Sequence, residues 1–189
     1  MQFTSEQDQK ICDLAFANKV KEISRAGLER CYQCHTCSLS CPVAFAMDYL
    51  PNQIIRMVQL GLKEQVLSSS TIWLCATCET CVARCPYDVD VLRVMDTLRE
   101  MALEEKVEGK EKVIPIFHQT FLGSIKTWGR THELSMLILL KLKTRAISLG
   151  DLLLGVKMFL KGKLKPLPTR TKGAKEIKDI FEKTKGEES

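Results

Sequence analysis

CYQCHTCSLSCP occupies residues 31–42. Four cysteines fall within eleven positions and a proline closes the run. CATCETCVARCP, residues 75–86, repeats the pattern, so the chain carries C-x2-C-x2-C-x3-C-P twice, 44 residues apart. Three thiolates two residues apart let a tight loop wrap three corners of an iron–sulfur cube, and thiolate is the soft, anionic ligand that iron in such a cube prefers. The same loop does not easily reach the fourth corner. In two-cluster ferredoxins the fourth cysteine of each run ligates the other cluster. Transferred to this chain, cluster one takes Cys31, Cys34, Cys37 and Cys85, and cluster two takes Cys75, Cys78, Cys81 and Cys41.

Zinc is the competing reading. Structural zinc sites use four ligands, commonly as two CxxC pairs. The third cysteine and the Cys-Pro ending are superfluous for zinc, and their appearance twice favours two [4Fe-4S] clusters. The ninth cysteine, Cys12, makes the count odd, which argues against a closed disulfide framework. Cys12 is expected to be a small buried residue rather than a further ligand. His35, inside the first loop, either tunes a cluster through a hydrogen bond or faces solvent. Arg30 and Arg84 either offset cluster charge or are ordinary surface cations.

The surroundings of the two runs read as helix. In 4–23, Thr4 and Gln7 suit a capping box, with Ile11, Leu14, Ala15 and Asn18 forming a moderate stripe. Gly27 ends that segment, and Pro42 suits a first helical position. From Pro51, the residues Ile54, Val58, Leu62 and Val66 recur every fourth position as one apolar face. SSST at 68–71 offers an N-cap for a short helix entering the second run. Val91, Met95, Leu98 and Ala102 form another stripe, and EEKVEGKEK (104–112) is a polar break. Residues 113–160 read as helix interrupted at Gly123, Gly129, Gly150 and Gly155. A basic Pro-Leu-Pro linker follows at 161–173, then a small amphipathic helix with Ile177, Ile180 and Phe181 on one face. No stretch alternates with the period of a strand. The expected fold class is all-α: residues 1–110 form a two-cluster domain, 111–160 a helical extension, and 161–189 a basic linker with a terminal helix for partner docking.

Charge separates the chain into two parts. Residues 1–106 hold 11 Lys/Arg against 14 Asp/Glu, whereas residues 107–189 hold 17 against 9. The second part is apolar as well as basic, in HELSMLILLKLKTRAISLGDLLLGVKMFLKGK (132–163). A surface for partner subunits is the favoured reading, ahead of a solvated tail, a membrane-surface helix or a nucleic-acid contact, since few aromatics interleave the basic residues. The longest apolar run, LSMLILL (134–140), is far short of the roughly 20 residues that span a bilayer. MQFTSEQDQK lacks the apolar core of a secretory signal. The expectation is a cytoplasmic chain with no transmembrane segment and no nucleic-acid partner.

No glycine-rich nucleotide fingerprint, phosphate loop or Ser-His-Asp order is recognisable. With all eight motif cysteines used on two saturated clusters, no iron is open to substrate. The chain on its own is expected to move electrons while its partners do the substrate chemistry, with no catalytic residue of its own.

In a helical context, CYQCHTCSLSCP and CATCETCVARCP resemble the α-helical ferredoxin domain found in subunits of succinate, fumarate and glycerol-3-phosphate oxidoreductases. The similarity is closest to the iron–sulfur C subunits of heterodisulfide reductase from methanogenic archaea. It rests on the two cysteine runs, the chain size and FHQTFLGSIKTWGRTHE (117–133), and covers about residues 25–135. The eight motif cysteines match that family's cluster ligands one by one. The resemblance implies an electron relay from a flavin-bearing heterodisulfide reductase subunit to the catalytic one, whose CCG motifs carry the clusters that split the coenzyme M–coenzyme B heterodisulfide. A hydrogenase or formate dehydrogenase in the larger complex is implied in the same way. This chain has no CCG sequence, so it resembles the relay and not the catalytic partner. The competing readings are a relay for another oxidoreductase (of glycerol-3-phosphate, succinate or sulfur compounds) and an iron–sulfur sensor, for which no output domain is recognisable.

Overall fold

The computed structural model describes residues 12–107, 109–144, 149–162, 171 and 173–187. Among them all regular structure is helical. Contacts divide the chain into two compact units, Met1–Lys112 and Val113–Ser189.

Among the described residues the first helix of the first unit is α1 (Leu14–Ser24). The expected helix over 4–23 is corrected at its start: Asp13 is the N-cap, its carboxylate accepting the Phe16 N–H at 2.9 Å. The Thr4–Gln7 capping box lies outside the described residues. Cys12 therefore stands before the first turn, off the packed face, and is exposed rather than buried. Two short helices follow the two cysteine loops, α2 (Thr36–Leu39) and α6 (Thr80–Ala83). Between them lie α3 (Pro51–Gln59), α4 (Lys63–Leu67) and α5 (Thr71–Leu74), and α7 (Val91–Glu104) closes the unit.

Pro42 does not start an α-helix; the chain instead makes a 3₁₀ turn over Ala44–Ala46. The apolar stripe from Ile54 to Val66 is not continuous but split between α3 and α4. The break is Gly61, in the left-handed region at φ 73°. A Cβ there would sit 2.5 Å from the Asp13 carbonyl oxygen, and the Asp13 N–H donates to Gly61 O at 2.8 Å. Only glycine allows both the turn and this approach of α1. Ile54, Val58 and Val66 are nonetheless fully buried, while Leu62 is half-buried at the break.

α7 carries the core. Val94, Met95 and Leu98 are essentially inaccessible, and α1, α3, α4, α5 and α6 all pack against this helix. Phe16 and Val20 close the core from α1, Ile55 from α3, and Ile72 from α5. At about 25 cal/mol per Å² of apolar surface buried, this layer is the main source of stability for the scaffold that holds the loops.

The second unit comprises α8 (Val113–Trp128), α9 (Glu133–Thr144), α10 (Leu149–Leu160) and α11 (Ala174–Glu187), with α9 and α11 packed on α8. Of the glycines expected to interrupt this region, Gly129 (φ 75°) ends α8. Gly123, Gly150 and Gly155 instead lie inside helices, where no neighbour crowds the missing Cβ of Gly123 or Gly155. Most of the linker over 161–173 lies outside the described residues. Among the described residues no helix is long and apolar enough to cross a membrane. Ile138, Leu142, Leu153 and Phe159 are each about half exposed or more.

Candidate metal centre

The cysteine loops are built alike. Gln33 and His35 in the first, and Thr77 and Glu79 in the second, all have φ between 50° and 67°. Alternating left-handed residues curl each C-x2-C-x2-C segment tightly enough to turn its thiols to one side. Each loop then enters a one-turn helix, α2 or α6, and these two helices pack on each other. The match extends to the supporting helices, with the first residue of α3, Pro51, corresponding to Val91 of α7. The ninth residue of each helix clamps the loop of its own half. Gln59 Nε2 donates to Leu28 O at 2.8 Å and to Cys31 O at 3.4 Å. Arg99 donates to Ile72 O and, at 2.6 Å, to Cys75 O. Leu28 and Cys31 stand 44 residues before Ile72 and Cys75, the spacing of the cysteine runs themselves.

A second set of contacts stitches the halves together. The Tyr32 and Tyr87 rings meet edge to face with centroids 4.6 Å apart. Arg30 donates to Asp88 O at 2.7 Å, and the Asp90 N–H donates to Ala26 O at 3.0 Å. Arg30 thus has a structural role that its spacing did not reveal. Arg84 and His35 are exposed.

Cys75, Cys78 and Cys81 line one cavity of about 400 Å³, counting its open mouth, and Cys41 from the first run lines it with them. The rest of its wall is largely apolar, including Val43, Met47, Val91, Leu92 and Met95. In the first loop Cys37 feels the charge of Cys31 and Cys34, while Cys81 in the second feels that of Cys75 and, from the first loop, of Cys37. Cys85 accepts the Val89 N–H at 3.3 Å. Among the described residues no three ligand-type side chains close around a single point, as one mononuclear ion would require. The donor set in the cavity, four soft sulfurs on an apolar wall, suits an iron–sulfur cube.

Paired electrostatics follow the repeat. The Thr36 hydroxyl beside Cys34 (3.3 Å) and the Thr80 hydroxyl beside Cys78 (3.4 Å) pull these thiols below their ordinary value. Burial pushes Cys37 up, and Cys81 up to about 11. Each loop thus holds one thiol shifted down by a neighbouring hydroxyl and one shifted up by burial.

Two residues that sequence reasoning missed hold the second loop in place. Arg99 is one; Asp48 is the other. As the SSST stretch suggested, it supplies the N-cap residue of α5, Ser70, but the Ser70 side chain makes no capping bond. The carboxylate of Asp48 caps the helix from 22 residues away, accepting from Ser70 N (3.0 Å), Thr71 N (3.1 Å) and Thr71 Oγ1 (2.8 Å). Lys110 Nζ reaches its other side at 3.0 Å. Burial opposes the charge of Asp48, but the donors of Ser70, Thr71 and Lys110 outweigh it and hold the carboxyl well below the usual range.

The two paired cysteine loops, on a scaffold whose regular structure among the described residues is helical, lie in the segment 27–89 that matches the family model of the 4Fe-4S dicluster domain. Within its matched segments the chain is similar to C subunits of heterodisulfide reductase. It is 40% identical over 90 residues to the C subunit of the H2:CoB-CoM heterodisulfide,ferredoxin reductase of Methanothermobacter marburgensis, covering 48% of this chain and 49% of the relative. It is 44% identical over 80 residues to the C2 subunit of the H2/formate:CoB-CoM heterodisulfide,ferredoxin reductase of Methanococcus maripaludis, covering 42% and 43%. A protein of Archaeoglobus profundus, named as like the C subunit of heterodisulfide reductase, is 28% identical over 130 residues, 65% of this chain and 69% of the relative. The chain spans about half the length of the methanogen relatives it matches.

Proposed function

We propose that this chain is the electron-relay subunit of a cytoplasmic heterodisulfide reductase complex and holds two [4Fe-4S] clusters on exchanged ligands. Cys31, Cys34, Cys37 and Cys85 hold the first; Cys75, Cys78, Cys81 and Cys41 hold the second. The observation that carries this reading is the cavity in which Cys41, from the first run, stands with the three cysteines of the second. When bound, such clusters supply one-electron storage. The chain supplies the thiolates, Thr36 and Thr80 to favour their ionised form, and the packing of α2 on α6 that keeps the two sites adjacent.

The role in a larger assembly is supported by the names of the relatives, which describe reductases of the CoB-CoM heterodisulfide coupled to ferredoxin and to hydrogen or formate. The partners are then the flavin-bearing and the CCG-bearing catalytic subunits of heterodisulfide reductase, and a hydrogenase or formate dehydrogenase. The half-exposed apolar residues of α9 and α10, interspersed with Lys141, Lys143 and Lys157, give the second unit a surface suited to a protein partner.

Anaerobic purification followed by iron, sulfide and zinc analysis tests the cofactor, with about eight irons expected. Cys41→Ser tests the ligand exchange: the cluster of the 75–81 loop is expected to be damaged while that of the 31–37 loop persists. Damage confined to the 31–37 loop refutes the exchange. Native purification with mass spectrometry tests the assembly.

A further inference from the structure

The two cysteine sites share a backbone plan but differ in what surrounds the sulfurs. In the first, Asn52, Ser38 and Gln33 form a hydrogen-bonded chain that ends on a cysteine. It starts from a backbone donor. The Asn52 N–H donates to Ser38 Oγ (3.0 Å). Ser38 Oγ in turn donates to Asn52 Oδ1. Asn52 Nδ2 is then the donor to Gln33 Oε1 (3.0 Å), which leaves Gln33 Nε2 to donate to Cys31 Sγ (3.4 Å). Ser38 and Asn52 are 6% and 5% exposed, so the chain is shielded from competing water. Cys85 accepts a second N–H, from Val89, whose residue is 1% exposed.

The second site has lost every member of this chain. Thr77 stands where Gln33 does, and its hydroxyl turns back to Ala76 O at 2.8 Å. Val82 replaces Ser38, and Leu92, at the second position of α7, replaces Asn52 and lines the cavity. Among the described residues no side-chain nitrogen donates to Cys75, Cys78, Cys81 or Cys41, and the backbone N–H groups of Thr80 and Val82 that face Cys78 and Cys81 are matched in the first loop by those of Thr36 and Ser38 at Cys34 and Cys37. The Thr–Cys contacts are equivalent in both loops and cancel. Glu79 on the cavity wall and Arg99 at the Cys75 carbonyl act in opposite senses.

An N–H aimed at a ligand sulfur stabilises the reduced, more negative state, and a largely apolar wall without a side-chain donor does not. The geometry points to Gln33, oriented by Asn52 and Ser38, as a positioning residue that makes the 31–37 site the preferred seat of an added electron. With both clusters bound, one electron would leave the 75–81 site, oxidising it by one, and settle on the 31–37 site, reducing it by one, with no bond or proton moved. This rests on the two-cluster reading above and adds an order to it.

The test is a potentiometric titration of the full chain, purified anaerobically and followed by electron paramagnetic resonance. Signals are assigned by which one Cys34→Ser or Cys78→Ser alters. In the wild type the 31–37 signal is expected at the higher potential. Gln33→Met, which keeps length but removes the donor, is expected to shift the internal equilibrium about tenfold toward the 75–81 site, or about 59 mV for one electron, at unchanged iron content. Thr77→Gln, which offers an amide to the other loop, is expected to raise the 75–81 potential. Two clusters whose potentials do not respond to Gln33→Met, or respond equally, overturn this inference and leave the two-cluster reading standing. Stoichiometric zinc without sulfide overturns both.

Discussion

Replacing Asp48 with alanine removes the acceptor on which the start of α5, and with it the approach to Cys75, depends. The carboxylate takes the N–H groups of Ser70 and Thr71, residues that are 6% and 0% exposed. Both donors belong to buried residues. An orphaned buried donor costs about 1–3 kcal/mol. The Thr71 hydroxyl has a second acceptor in Tyr49 O at 2.6 Å, so its loss is partly made good. Two orphaned donors, with that relief, put the cost at roughly 3 kcal/mol, a large share of the about 5–15 kcal/mol that stabilises a typical domain. Asp48→Asn retains one acceptor and should lose about half as much. Lys110→Ala should lose much less, because its side chain is 67% exposed and the pair is screened. The measurement is urea unfolding of the anaerobically purified protein followed by circular dichroism. With a slope of about 1.5 kcal/mol per molar, Asp48→Ala lowers the midpoint by about 2 M. A midpoint within about 0.3 M of wild type, or a loss from Lys110→Ala equal to that from Asp48→Ala, refutes the account of Asp48 as the remote cap of α5.

The same carboxylate gives the fold an acid sensitivity. Its folded-state pKa is depressed, so its stabilisation is fully present above the ordinary carboxylate value of about 4 and is lost as pH falls below it; unfolding midpoints should fall between pH 5 and pH 3 less steeply in Asp48→Asn than in wild type. Gly61→Ala forces a Cβ against the Asp13 backbone and into a left-handed conformation that itself costs about 1–2 kcal/mol; a loss above about 2 kcal/mol in urea unfolding is expected. Cys12→Ser alters an exposed residue ahead of α1, so iron content and the electron paramagnetic resonance spectrum should match wild type.

Much of the site was legible because it is local. The cysteine spacing is written within twelve residues, and the supporting stripes of α3 and α7 follow the helical period. What was not legible depends on residues that meet only after folding. Asp48 caps a helix 22 residues away, and Arg99 reaches back to Ile72 and Cys75, 27 and 24 residues before it. Periodicity could not show that the stripe from Ile54 to Val66 bends at Gly61, since a four-residue spacing survives the turn. The glycine was the available signal. Within α8 and α10 the opposite holds: Gly123 and Gly155 are carried by the helices around them, so composition alone overstated the breaks. The direction of the Asn52–Gln33 hydrogen-bond chain also became visible only when α3 was set against the first loop.

The repeat is imperfect in one place that matters for the outside of the molecule. Nine residues separate Cys41 from Pro51, whereas five separate Cys85 from Val91. The four extra residues allow the turn over Ala44–Ala46, where Phe45 is 90% exposed, and the reach of Asp48 to α5. An inserted arm therefore distinguishes the first half of the repeat from the second. A visiting protein that reads the first half meets the ring of Phe45 on an arm that has no counterpart in the second. The repeat within the first unit is thus marked at one end, which gives a conduit a way to be plugged in the right way round.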